Sequence, residues 1–341
     1  MKYLRAIVLI VLILAGCQTN GAGLKLAPGW SYQSLSAWKA ITPNKMALSS
    51  GKDWLYISGE RSQYSSEAGV IAIRLSSSRT HILVQGMRNA NGIRLAPDGS
   101  LWIAEDDPKG VVWRMAEPDQ FPSDQRVDPV ELTSSYVSLA PFNSAGQFHH
   151  RAIAFSADGR FAYLADASAA GSLFRLELKS RTLAVYHSEK GWLAVNPDEA
   201  TGSALTLGAR AFAGIHDIER LPDGTLLLAE SGSGQILQLH DDGKRPRIEP
   251  WLDNPSLSHP DDMSWDSARH WLWITDHGEQ SVVWAWDGRK LHEIMRHPTS
   301  RFGGVLATDD AVYVNLQRGR YNPAMTLRLH EKHNTGSEDH A

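Results

Sequence analysis

The chain has 341 residues, with 34 Lys+Arg against 38 Asp+Glu and a formal net charge of −4. This mildly acidic balance, with no basic run or stripe, argues against nucleic acid as a partner, since phosphate recognition needs clustered positive charge. The single cysteine, Cys17, excludes an internal disulfide, thiol catalysis and cysteine-ligated zinc.

In chain order, the first segment reads MKYLRAIVLIVLILAGC. Lys2 and Arg5 form a short positive region, and the apolar run from Ala6 to Leu14 falls well short of the ~20 residues a spanning helix needs. It reads as the core of a signal peptide. The run ends in Leu14-Ala15-Gly16-Cys17, the pattern of a bacterial lipobox, so residues 1–16 are expected to be a lipoprotein signal peptide. Residues 17–29 are expected to be a tether lipidated on Cys17, with the membrane reached through that anchor only. Gln18 stands where an Asp would resemble an inner-membrane retention signal. By that borrowed sorting rule the expected location is the periplasmic face of the outer membrane, if the host is Gram-negative.

The body, residues 30–330, carries an internal repeat. Asn91 begins NGIRLAPDGSLWIAED, Arg151 begins RAIAFSADGRFAYLAD, His216 begins HDIERLPDGTLLLAE and Asp261 begins DDMSWDSARHWLWITD. Weaker copies start at Asn44 and Gly303. Each has an alternating apolar segment, an Asp-Gly-type turn and a second apolar segment, which is the pattern of a hairpin. A third strand follows each hairpin after a small or turn residue (Gly69, Gly110, Gly171, Gly234, Ser281, Ala324), and a more polar fourth usually follows that. Four strands repeated six times predict an all-β fold, a six-bladed β-propeller. The last copy runs out after its third strand, so WSYQSLSAW from Trp30 is expected to close the ring. Residues 331–341 read as a disordered tail.

Two longer gaps, 116–147 and 188–213, precede the first strands of the third and fourth blades. Insertions of that length are expected to overhang the channel face. The acids ending the second strands, Glu105, Asp166, Glu230 and Asp276, recur at equivalent places and therefore read as scaffold. Most tryptophans are expected to fill the spaces between blades, with Trp192 and Trp251 on loops.

In a propeller the residues just before each innermost strand converge on the axis. That ring reads Asn44, Asn91, Arg151, His216, Asp261 and Gly303, followed by Lys45, Gly92, Ala152, Asp217, Asp262 and Gly304. Polar groups aimed at one point need a common partner: a cation, a polar ligand or water.

ANGIRLAPDGSLWIAED and HPDDMSWDSARHWLWITD resemble blades of the six-bladed superfamily that joins SMP-30/gluconolactonase, paraoxonase-type lactonases and strictosidine synthase-like proteins. The resemblance implies a catalytic divalent ion at the channel, with Asn91 and Asp261 on the family's two motifs. Calcium held by Asn44, Asn91, Asp217 and Asp261 is the expectation, a transition metal through His216 or no metal being the alternatives. The family's Glu near the first inner strand is replaced by Asn44 or Lys45, and Arg151 stands where a further Asn belongs. In such a scheme the ion polarises an ester or lactone carbonyl. Asp261, His216 or His150 activates water, while Arg151 and His149 bind the substrate.

The leading expectation is therefore a metal-dependent hydrolase of lactones or esters, acting on a small molecule. One alternative is a non-catalytic envelope lipoprotein that binds a protein partner. The other is a quinone-dependent sugar dehydrogenase, with His149, His150 and Arg151 at its mouth.

Overall fold

The computed structural model describes residues 23–38, 41–61, 69–106, 110–119, 130–131, 136–139, 149–168, 171–195, 212–243, 245–317 and 324–332. The described residues are all-β, in six sheets. Blade one comprises Ile41–Leu48, Trp54–Arg61, Gly69–Arg74 and Thr80–Gln85, and blade two Ala90–Leu95, Leu101–Glu105, Val111–Met115 and Val137–Ser138. Blade three runs His150–Phe155, Phe161–Asp166, Leu173–Glu177, Leu183–His187 and Gly191–Val195. Blade four is Ile215–Arg220, Leu226–Glu230, Gln235–His240 and Arg247–Asp253; blade five is Pro260–Asp266, Trp271–His277, Ser281–Trp286 and Leu291–His297. Blade six takes Phe302–Ala307, Val312–Leu316 and Ala324–Glu331 from the end of the chain and Trp30–Trp38 from its beginning. That N-terminal strand pairs antiparallel from Trp30↔Glu331 to Trp38↔Ala324. The first strands contact one another around a closed ring, blade six returning to blade one. The fold is the six-bladed propeller the repeat predicts, closed by the strand at Trp30.

Local chemistry explains the hairpins. Gly99, Gly159 and Gly224 take φ of 81°, 66° and 91° at the turns, a region open to glycine at no steric cost. The preceding aspartates brace the same turns: Asp98, Asp158 and Asp223 each accept from the backbone N–H two residues on, at 2.9–3.0 Å. The four recurring acids are scaffold as expected, but they brace the approach to the first strand rather than the hairpin turn. Asp166 accepts from the His149 N–H at 3.2 Å, Glu230 from Ala213 at 3.1 Å, Asp276 from Ser258 and His259 at 2.9 and 2.7 Å, and Glu105 from Arg88. Trp102 is buried between blades two and three, and Trp273 between blades five and six.

Three peripheral expectations change. Lys25–Leu26, inside the presumed tether, is a strand on the outer edge of blade five, because Leu24, Leu26 and Ala27 have an apolar cluster to cover. The described parts of the two insertions run along blade rims rather than over the channel. Val130–Glu131 pairs with the outer strand of blade one, and Gly191–Val195 is the fifth strand of blade three. Trp192 and Trp251 lie in strands, Trp192 packing on Tyr163 and Tyr186 beneath Arg175. Cys17 and the tail from 333 lie outside the described residues.

Candidate functional site at the channel mouth

In a regular strand, consecutive side chains point to opposite faces. Here every first strand is irregular at the same place. The register against the second strand shifts between Pro43/Met46, Ala90/Gly92, His150/Ala152, Ile215/Asp217, Pro260/Asp262 and Phe302/Gly304. A bulge leaves one residue unpaired and re-aims its side chain. Consecutive ring residues therefore serve one channel at two depths, a mouth layer and a layer beneath it.

The mouth has two halves. On blades six, one and two, and reaching the entry to blade three at His149, a chain of hydrogen bonds links amides and carboxylates. Gln317 Nε2 donates to Asn44 Oδ1 at 2.9 Å; Asn44 Nδ2 donates to Glu60 Oε1 at 2.8 Å and to Asn91 Oδ1. Asn91 Nδ2 donates to Asp106 Oδ2 at 3.0 Å, and His149 Nδ1 lies 3.0 Å from Asp106 Oδ1. On blades three to five the groups are basic, around one carboxylate. Asp261 Oδ1 lies 2.7 Å from His216 Nδ1 and 3.7 Å from Arg151 Nη1, and its Oδ2 lies 3.9 Å from His277 Nε2. Burial alone would raise the Asp261 pKa, but the charge of His277, the hydrogen bond and charge of His216, and Arg151 together hold it well below the usual carboxylate range. Among the described residues Arg151 Nε, itself buried, has no hydrogen-bond partner.

The layer beneath is closed on itself. Lys45 Nζ lies 2.7 Å from Asp217 Oδ1, 2.9 Å from Asp262 Oδ1 and 2.7 Å from the His216 carbonyl, so its three N–H groups are all used. The side chains of Lys45, Asp217 and Asp262 are 7%, 1% and 5% exposed. The second oxygens are used too: Asp217 Oδ2 accepts from the Met263 N–H at 3.1 Å and Asp262 Oδ2 from Val305 at 2.8 Å. Burial and the neighbouring Asp217 charge push the Asp262 pKa up, against the opposing pull of Lys45. Deeper again, Arg94 pairs with Glu219 at 2.9 Å and reaches Asp217 at 3.5 Å. Gly92 and Gly304 let the strands close around this layer, since a Cβ would stand 2.5 Å from the Arg151 carbonyl oxygen or 2.4 Å from that of Asn44.

The structure thus brings Arg151, His216 and Asp261 together, and Asn44, Asn91 and His149 together on the opposite half. His150 opens the first strand of blade three opposite Asp166, and its side chain lies outside the described residues. The expected calcium ligands Asn44, Asn91, Asp217 and Asp261 do not assemble as a set. Asp217 lies in the lower layer, bound to an ammonium, and Asp261 is committed to His216 in the other half of the mouth. Among the described residues no three His, Cys, Asp or Glu side chains form a metal-holding group, and the four expected ligands are divided between the two layers and the two halves of the mouth.

Sequence reasoning missed Glu60, Asp106, His277 and Gln317. Each stands one place past the second-strand residue paired on the outer side of the first-strand bulge (Gly59, Glu105, Asp276 and Leu316), so the repeat itself could have shown them. A cavity of about 600 Å³ lies on the opposite face between blades three and four, lined by Asp158, Tyr163, Asp223 and Asp241 among others. Its aspartates are engaged by turn groups or by Tyr163 and Arg175, whereas the mouth keeps unused donors.

No protein-family model matches the chain, and no curated protein matches it in sequence. Solved structures do match its fold. A luciferin-regenerating enzyme superposes with a TM-score of 0.60 at 10% identity, over 88% of this chain and 95% of that one. A gluconolactonase from Xanthomonas campestris gives 0.56 at 14% identity, over 90% and 94%. The PQQ-bound aldose sugar dehydrogenase of Streptomyces coelicolor gives 0.54 at 14% identity, over 90% and 100%. In fold, the chain is similar to six-bladed propellers that carry several unrelated chemistries, gluconolactonase among them.

Proposed function

We propose that this propeller hydrolyses a lactone or ester at its channel mouth, with His216 as the base that activates water. The observation that carries the reading is the His216–Asp261 pair at 2.7 Å with Arg151 beside it, raised into the channel by three bulges. With Nδ1–H donated to Asp261, the imidazole has its Nε2 lone pair left to act as the base. Asp261 is buried and ionised, so its part is to fix that tautomer and stabilise the imidazolium formed when Nε2 takes a proton from water.

The resulting hydroxide adds to the carbonyl carbon. Arg151, a cationic guanidinium on a side chain 28% exposed at the mouth, hydrogen-bonds the carbonyl oxygen as it becomes an oxyanion. Collapse breaks the C–O bond, and the His216 imidazolium returns its proton to the departing alkoxide. The products are a carboxylic acid and an alcohol, joined in one molecule when the substrate is a lactone. The amide and carboxylate half of the mouth suits the hydroxyl groups of a polar substrate, and the fold shared with a gluconolactonase supports this substrate class. No step is drawn through a metal ion.

The test is turnover of a lactone and ester panel by the purified chain and by His216→Gln, both with chelator. Turnover lost in the variant supports the reading; its absence across the panel, or its retention in the variant, refutes it. As part of the same proposal the enzyme is lipid-anchored through Cys17 in the cell envelope, so palmitate labelling should vanish in Cys17→Ser.

A further inference from the structure

Lys45 occupies a position that asks for a cation. Five side chains and one carbonyl surround the channel axis beneath the mouth, and the balance of charge there is specific. Two cations, Lys45 and Arg94, face Asp217, Asp262 and Glu219. The Lys45 ammonium is held by oxygen atoms alone, two from carboxylates and one from a backbone carbonyl, at 2.7–2.9 Å. Those are the donors that hard divalent ions choose, and calcium draws such oxygens in to about 2.3–2.6 Å. The cage therefore differs from a calcium site in size by a few tenths of an ångström, in supplying three protein oxygens of the roughly 6–8 that calcium takes, water making up the rest, and in having a covalently attached occupant.

The fold has no slack with which to hold both. Asp217 and Asp262 direct their remaining oxygens to the Met263 and Val305 amides, which fixes both carboxylates against rotation. The wall opposite is backbone: glycine at 304 brings the Asn44 carbonyl close, and Lys45 follows directly in the chain. An ion entering from the mouth would find its place among those oxygens taken by the ammonium.

We infer that Lys45 is a built-in replacement for a divalent ion on the propeller axis, and that deleting its ammonium opens a calcium-binding site formed by Asp217, Asp262 and the His216 carbonyl. The inference is independent of ester hydrolysis, because none of its side chains belongs to the proposed water-activating set. It concerns binding and stability alone.

The experiment uses the full chain in mild detergent at pH 8.5, stripped with chelator, and follows melting temperature and Tb³⁺ luminescence with CaCl₂ as competitor. The wild type should melt at the same temperature in chelator and in millimolar CaCl₂. Lys45→Ala should melt lower in chelator, rise by several degrees in CaCl₂, and bind Tb³⁺ saturably in competition with calcium. Lys45→Ala/Asp217→Asn should lose that response, which separates the axis from adventitious surface binding. A calcium-dependent rise in the wild type that Asp217→Asn abolishes would overturn the inference, as would a Lys45→Ala protein indifferent to Ca²⁺ and Tb³⁺. If Lys45→Ala does not fold in chelator, refolding in CaCl₂ becomes the readout, and recovery there counts in favour. If it folds in neither, Lys45→Gln, whose amide satisfies one carboxylate, is read in the same way, and its indifference to calcium counts against.

Discussion

The mouth layer and the layer beneath it are made by adjacent residues of the same six bulges, yet they are chemically opposite. In the mouth, capacity is left over among the described residues: Arg151 Nε has no partner, His216 is paired through Nδ1 with Asp261, and His149 through Nδ1 with Asp106. Beneath, every N–H of Lys45 and both oxygens of Asp217 and Asp262 are used. Adjacent aspartates show the contrast most sharply. Asp261 is held far down by surrounding bases, whereas Asp262, one residue on, is pushed up by burial and by Asp217. Groups with unspent bonding capacity can act on a substrate, and groups without it hold the ring together.

The largest effect should come from breaking the lower layer. Asp217→Ala leaves two buried donors, a Lys45 N–H and the Met263 N–H, without their acceptor, at a cost of about 1–3 kcal/mol each read by denaturant unfolding. His216→Gln should reverse the pattern. It should change stability by under about 1 kcal/mol, yet reduce kcat/KM on esters roughly 10²–10⁴-fold, the usual worth of a general base.

Smaller effects sharpen the comparison through pH. The lowered pKa of Asp261 stabilises the fold above the ordinary carboxylate range, and that contribution is lost as pH falls through the folded-state value. Asp261→Asn should therefore flatten the acid limb of the stability profile. Asp262 has the opposite sign: its contribution is fully present below the unfolded-state value and is lost as pH rises through the raised one. Asp262→Asn should flatten that decline instead, and thermal melts across pH read both. The smallest change is expected at the scaffold acids. Asp276→Asn weakens two amide contacts outside the channel, at 2.9 and 2.7 Å, and should cost about 1–3 kcal/mol with kcat/KM unchanged.

The propeller, its closure at Trp30 and its ring were legible because alternation and Asp-Gly turns recur in the sequence, and a repeat aligns itself. The bulges were not. At blade four, strict alternation sends His216 and Asp217 to opposite faces, and nothing in Ile215-His216-Asp217 marks the extra residue that lets both face the axis. The ring alignment and the family resemblance put Asp217 beside Asp261 as a calcium ligand, although one belongs to the lower layer and the other to the mouth. Lys45 shows the same limit: its place in the ring could be read, but its ion pair with Asp217 spans 172 residues and depends on how the blades meet. Asp106 and His277 are within reach of the same repeat, one place past Glu105 and Asp276, and Glu60 and Gln317 stand at the equivalent places after Gly59 and Leu316.

The most direct test of the account is kcat/KM for lactone and ester hydrolysis, measured in chelator for wild type and His216→Gln, with melting temperatures alongside. The account predicts turnover that survives chelation and falls at least about 100-fold in the variant at unchanged melting temperature. Turnover abolished by chelator, or retained in His216→Gln, would contradict it.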